Sequence, residues 1–275
     1  MSKNPLQQYF RQPKIFISLP SHGVYNIPGA IQGDVENLPV FGMTGMDEIL
    51  LKTPDSLLTG ESTIKVIESC CPSIKDANEV SLIDLNTLLI AIRIATYGNK
   101  LMVSNTCTAC NTEHDYEIEL SSFIEYYKAN QFNNKLVLNE LTLTLRPLTY
   151  KESLEISLRN FEIQQQMKQL DSIENEIDKR SFMMGLFEKI GNIQQDLYVK
   201  CIETVKIGQQ SVTEKPFIEE WIKNCDKETT DQLKDYFQQV QVLWNSPSQD
   251  VKCDACGAVN QITVEFDQSN FFATA

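Results

Sequence analysis

"TCTAC" at residues 106–110 and "KCDAC" at residues 252–256 each hold two cysteines two residues apart. The likeness continues beyond the cysteines. "NTEHDYEIEL" follows Cys110 and "GAVNQITVEF" follows Cys256. Tyr116, Ile118 and Leu120 stand as far from their second cysteine as Ile262, Val264 and Phe266 do from theirs. Both stretches alternate with period two, as a half-buried strand does. Short strand-like pieces, "KLMVS" and "DVK", precede them. Each copy reads as strand, Cys-x-x-Cys turn, strand. Two such knuckles facing one another make a zinc ribbon, with Cys107, Cys110, Cys253 and Cys256 as four tetrahedral ligands of one closed, structural metal.

The chemistry of that spacing is local. Two intervening residues let one turn present both sulfurs to a single ion, and soft thiolates favour zinc. What is unusual is the sequence distance: 142 residues lie between Cys110 and Cys253. The central part of the chain is then an insertion whose two ends lie close together, which domains tolerate. Four other arrangements compete. Each pair could be a thiol–disulfide redox site, although no thioredoxin-like βαβ context surrounds it. Iron could replace zinc among the same cysteines. His114 could take the place of one cysteine, although the equivalent position in the second copy is Asn260. The pairs could also be unpaired surface thiols. In a reducing cytosol, paired cysteines are more often metal ligands or redox groups than structural disulfides. Cys70, Cys71, Cys201 and Cys225 read as helical core positions.

The whole chain narrows the function classes. It has 275 residues, 42% of them hydrophobic, so it is globular with a real core. Its net charge of −13, with no cluster of Lys and Arg, disfavours nucleic acid and anionic membrane surfaces. The start, "MSKNPLQQYFRQPK", has no apolar core of a signal peptide. The most apolar stretch, "SLIDLNTLLIAIRIATYG" at residues 81–98, is interrupted by Asp84 and Arg93 and is too short and charged to span a bilayer.

The expected fold is α+β: mostly helical domains with a small discontinuous ribbon and a long helical insertion. Residues 1–45, rich in Pro and Gly, read as an extended arm that either wraps its own domain or docks on a partner. "KIFISLP" within it is a short strand. Leu6, Tyr9, Phe10, Ile15 and Phe16 would be the arm's apolar anchors. Residues 46–98 form a helical domain. Asp47 and Glu48 suit a helix start, Pro72 stops a second helix, Asp84 caps the strongest one and Gly98 ends it. Arg93 inside that helix either snorkels to the surface or pairs with a buried carboxylate or a partner. Residues 99–123 and 248–271 make the split ribbon. Residues 130–245 are the insertion, which begins with a hairpin turning at Asn139-Glu140. Ile156, Ile163, Leu170 and Ile177 recur every seven residues, which predicts one helix of about 30 residues with a coiled-coil-like seam.

Catalytic signatures do not accumulate. The two histidines are His22 and His114, and neither a phosphate-binding glycine loop nor a zinc-protease motif is present. The expectation is a protein that is not an enzyme.

Several long stretches carry a resemblance: "YFRQPKIFISLPSHGVY", "LPVFGMTGMDEILLKTPDSLLTGESTIKVIESCCPSIKD" and "SLIDLNTLLIAIRIATYG", followed by the first Cys-x-x-Cys. They resemble the baseplate hub proteins of T4-like tailed bacteriophages. The likeness is dense over residues 5–125, looser through the central helices, and returns at "LRPLTYKE" and the last Cys-x-x-Cys-Gly. One departure is Asn111, which stands where the second knuckle has Gly257. The resemblance implies a non-enzymatic structural or assembly protein of the central hub of a contractile tail. Its partners would be other hub or tail proteins, and its place the host cytoplasm during assembly and the virion tail baseplate if it stays with the particle. It brings no catalytic residues. The alternative is a zinc-ribbon nucleic-acid-binding protein, against which stand Glu113, Asp115, Glu117 and Glu119 beside the first knuckle.

Overall fold

The computed structural model describes residues 4–52, 60–170, 175–264, 266 and 271–272. Four sequence readings fall partly outside them: the first three residues of the arm, residues 53–59 of the helical segment, residues 171–174 of the long helix, and residues 265 and 267–270 after the second knuckle. The chain divides into two compact units. One joins Met1–Gln131 with Trp244–Ala275, and the other is Phe132–Leu243.

The first unit is organised around a helix, α3 (Leu82–Tyr97), which follows α1 (Gly45–Leu51) and α2 (Glu61–Cys70) and against which α4 (Ser121–Ala129) packs. The sequence of α3 is apolar all round, and Leu88, Leu89, Ile90, Ala91 and Ile92 are all buried in succession. A helix of that kind must be covered on every side. Strands β1 (Pro13–Ile17) and β2 (Leu38–Phe41) pair antiparallel and pack on it, burying Ile17, Leu38 and Val40. Gly42, at the end of β2, runs so close that an added Cβ would lie 2.8 Å from the Ala95 carbonyl oxygen. Helix α3 stops at Gly98, whose φ of 96° suits a residue without a side chain and whose N–H donates to the Ile94 carbonyl. Helix α1 begins with a capping box between Thr44 and Asp47.

Two expectations for α3 are corrected. Asp84 does not cap the helix; Ser81 occupies the N-cap position. The Asp84 carboxylate is buried and accepts hydrogen bonds from the Ser21 N–H (2.9 Å), the Ser21 hydroxyl (2.5 Å) and the Asn26 amide (2.8 Å). Those long-range donors displace the local cap and tie residues 21–26 to the helix. Arg93 does not snorkel. It is 2% exposed, donates to the Phe271 carbonyl, and has the Tyr97 and Phe271 rings at 5.2 and 5.3 Å. A carbonyl oxygen and two ring faces supply what water would have supplied to the charge.

The N-terminal segment is held at Arg11. Its guanidinium donates to the Gly42 carbonyl (2.7 Å), the Ser69 carbonyl (2.6 Å) and the Ser69 hydroxyl (2.8 Å), with Asp47 at 3.5 Å. Ahead of it, Leu6, Tyr9 and Phe10 are exposed, as is Phe16 on β1, whereas Ile15 is half-buried.

In the second unit β5 (Lys135–Leu138), β6 (Leu141–Leu145), β7 (Ile202–Ile207) and β8 (Gln210–Val212) form a four-stranded antiparallel sheet in that order. The β5–β6 hairpin turns at Asn139-Glu140, with Asn139 at φ 52°, a conformation asparagine tolerates. Helices α7 (Lys215–Asn224) and α8 (Lys227–Trp244) help enclose a core of Leu143, Leu145, Tyr198, Ile202, Ile218 and Leu233. The Lys215 ammonium donates to the carbonyls of Val199 (2.6 Å) and Ile202 (2.7 Å), closing a preceding helix end.

The expected single long helix is two. Helix α5 (Tyr150–Lys168) ends before Gln169, and α6 (Glu176–Cys201) starts afresh from an Asn175 cap. Arg159 pairs with Asp196, Glu155 with Lys200 and Gln166 with Lys189, a register that only antiparallel helices give. Ile156, Ile163 and Leu170 face this hairpin, but Ile177 is 79% exposed, so the seven-residue repeat does not extend onto α6. Among the four outlying cysteines, Cys70, Cys71 and Cys201 are buried as expected. Cys225 lies half-exposed just past the end of α7, where its thiol meets the Ile222 carbonyl at 3.2 Å.

Candidate metal centre

Each knuckle is built by one two-stranded sheet. β3 (Lys100–Thr106) and β4 (Glu113–Glu119) flank Cys107 and Cys110, and β9 (Ser248–Lys252) and β10 (Val259–Thr263) flank Cys253 and Cys256. The period-two pattern seats Leu101, Tyr116 and Ile118 inward on one sheet and Ile262 with Val264 on the other chain segment. On the outer face Lys100 pairs with Glu117 at 2.8 Å.

The two turns repeat the same hydrogen bonds. The Cys107 N–H donates to the Thr112 carbonyl (2.9 Å), and the Asn111 N–H returns to the Cys107 carbonyl (2.9 Å). In the second turn the Cys253 N–H donates to the Ala258 carbonyl and the Gly257 N–H to the Cys253 carbonyl, both at 2.8 Å. The residue after the second cysteine is left-handed in both copies, with φ 55° at Asn111 and 75° at Gly257. Asn111 is therefore the residue type that best replaces glycine at this position, and the departure noted in the sequence leaves the turn intact.

The turns bring all four sulfurs within 4.8 Å of one another. Cys107 and Cys256 lie 3.7 Å apart, and Cys110 and Cys253 3.6 Å apart. Zinc–sulfur bonds of about 2.3 Å in a tetrahedron place the sulfurs about 3.8 Å from each other, so the donor set fits one tetrahedral ion. Cys107 and Cys253 are buried, while Cys110 and Cys256 lie nearer the surface.

The surroundings favour the thiolate form at two of the four, Cys107 and Cys110, whereas Cys256, despite its backbone hydrogen bond from Ala258, is pushed up to about 12 by the neighbouring Cys110 sulfur and by burial. The Asn260 amide, followed by the backbone N–H groups of Ala109 and Cys110, brings the Cys107 thiol down to about 6. The Thr112 side chain and backbone lower Cys110. Asn260 is the residue that sequence reasoning missed as a participant. It is 4% exposed, donates to the Cys107 sulfur at 3.4 Å, and accepts from the Thr108 N–H (3.0 Å) and hydroxyl (3.1 Å). Its signal was present: a polar residue in the inward phase of a strand whose next inward positions are Ile262 and Val264. His114, its counterpart in the first copy, is not among the clustered groups; its ring lies 6.2 Å from that of Tyr116. The other histidine, His22, sits on an exposed loop with Nδ1 2.5 Å from a Glu36 carboxylate oxygen.

No helix among the described residues is long and apolar enough to cross a membrane. Comparison with known proteins gives one family: residues 43–273 match the model described as T4 bacteriophage base plate protein. No curated protein and no solved structure shows significant similarity to the chain.

Proposed function

Because the chain belongs to the T4 bacteriophage base plate protein family, we propose that it is a non-enzymatic structural or assembly protein of the central hub of a contractile tail. It acts through contacts with other baseplate proteins, in the host cytoplasm while the hub is built and in the virion tail if it is retained. The observation that carries this reading is the family match over most of the chain. A four-cysteine cluster that closes around an ion, and so offers no open coordination position for substrate, accords with it.

In this proposal Cys107, Cys110, Cys253 and Cys256 hold a structural zinc ion. When bound, zinc cross-links the two knuckles and so closes the ends of the split ribbon around the intervening unit. The exposed apolar residues Leu6, Tyr9 and Phe10, ahead of the Arg11 anchor, belong to a docking segment for a hub partner.

The test is affinity purification of the tagged protein from infected cells and from finished particles, with mass spectrometry of what accompanies it. Recovery with hub and tail proteins supports the assignment, and its presence or absence in finished particles separates a resident subunit from a transient assembly factor. The ribbon also raises the nucleic-acid reading, so the same protein is examined by gel shift. Tight, salt-sensitive DNA binding without tail partners would replace the assembly role with that of a nucleic-acid binder.

A further inference from the structure

Helix α6 carries apolar residues on two opposite faces. One face holds Leu186 and Ile193 against Ile163 of α5. The other presents Ile177 (79% exposed) and Met184 (67%), with Phe187 (65%) beside them. Extrapolating the α5–α6 register puts Lys168 opposite about residue 187, so the first turns of α6 run past the end of α5. A surface helix with a single core needs only one apolar stripe. The second stripe is therefore left for a contact outside the hairpin.

The residues around that stripe are complementary to themselves. At 100° per residue, Ile177, Met184 and Gly191 fall along one line, with Arg180 and Glu188 about 40° to either side of it. In an antiparallel pairing of two identical helices about Met184, residue 180 of one meets residue 188 of the other, and residue 177 meets 191. Arg180 and Glu188 then form two symmetry-related ion pairs, and Arg180 also comes alongside the second copy's Phe187. Both charged side chains are exposed, and neither appears in an ion pair among the described residues of its own chain. Ile177 packs onto Gly191 of the second copy. An added Cβ at Gly191 would meet nothing within 4 Å, so its own chain does not demand a glycine there. Glycine within a helix costs about 1 kcal/mol relative to alanine. A flat spot that receives the most exposed large apolar side chain on the helix accounts for it.

We infer that the outer face of α6 is an isologous interface, on which a second copy of this chain docks antiparallel with Met184 on the two-fold axis. The charge pattern selects this occupant. A partner helix of unrelated sequence has no reason to carry a Glu eight residues after an Arg and a gap fourteen residues after an Ile, each in mirrored order.

The experiment is sedimentation equilibrium of the full chain from low to high micromolar concentration, with Arg180→Glu, Glu188→Arg and the double exchange measured beside it. The expected result is a monomer–dimer equilibrium. Each single reversal sets like charges face to face and raises the dissociation constant about tenfold or more. The double exchange rebuilds the pair in the opposite sense and restores the constant to within about threefold. That rescue shows that loss of folding is not the cause. A chain that stays monomeric throughout, a dimer insensitive to both single reversals, or a double exchange no better than the singles would overturn the inference.

Discussion

Asn260 on β10 and Thr108 in the opposite knuckle are joined by two hydrogen bonds, from the Thr108 N–H at 3.0 Å and its hydroxyl at 3.1 Å, to one amide oxygen. The same amide donates to the Cys107 sulfur. One side chain thus ties the two knuckles together and hydrogen-bonds one of the four clustered sulfurs. Outer-sphere partners of this kind are worth about 10–100-fold in metal affinity. Asn260→Ala should therefore weaken zinc retention by that order in a chelator competition, with the four sulfurs still present. Unchanged retention would mean that Asn260 is only a packing residue.

Removal of the metal should be felt far from the cysteines in sequence. Cys110 lies near the surface and its replacement by serine leaves no cavity in a core. Cys110→Ser, or treatment of the wild type with a strong chelator, should lower the first thermal transition by about 5–10 °C. Elemental analysis should give one zinc per wild-type chain. Wild-type protein with no metal, and no change in the transition on chelation, would remove the ion from the account.

Arg93 makes a prediction about the C-terminal segment. Its guanidinium donates to the Phe271 carbonyl and lies beside the Phe271 ring. Arg93→Met keeps most of the volume but leaves that carbonyl without its charged donor. The expected loss is about 2 kcal/mol, read from denaturant midpoints. Proteolysis near residue 271 should increase in parallel. A variant as stable as the wild type, with no gain in cleavage, would show that ring packing alone secures the segment.

Asp84 should leave a signature in the pH dependence of stability. Burial raises its pKa above the ordinary carboxylate value, against the opposing hydrogen bonds from Ser21 and Asn26. Between the unfolded value of about 3.9 and the raised folded value, the folded chain binds more protons than the unfolded one. The contribution of Asp84 is complete below that window and is lost as pH rises through the folded value. Asp84→Asn does not titrate. The stability of wild type minus that of Asp84→Asn should therefore fall as pH rises from about 4 towards neutrality. A difference that stays flat, or grows, would contradict a raised carboxylate.

The duplicated knuckle was legible in the sequence because its determinants are local. Period-two alternation, two cysteines at fixed spacing and a residue tolerant of positive φ all lie within about a dozen residues of each other, and each copy corroborates the other. The β5–β6 turn at Asn139-Glu140 and the Gly98 stop were legible for the same reason. The tertiary structure alone decided where partners came from elsewhere in the chain. Asp84 read as a helix cap, and Arg93 as a side chain that either snorkels or pairs with a buried carboxylate or a partner. Ser21 with Asn26 and Phe271, distant in sequence, supply the hydrogen bonds that make burial of their charges tolerable. The repeat of Ile156, Ile163, Leu170 and Ile177 fits one helix as well as the start of a hairpin. Periodicity records which face is apolar and says nothing of whether that face meets a later turn of the chain. Only the pairing of Arg159 with Asp196 and of Glu155 with Lys200 shows the reversal. Asn260 belongs with these: its strand position was readable, but its reach to Thr108 and Cys107 exists only once the two ends of the ribbon meet.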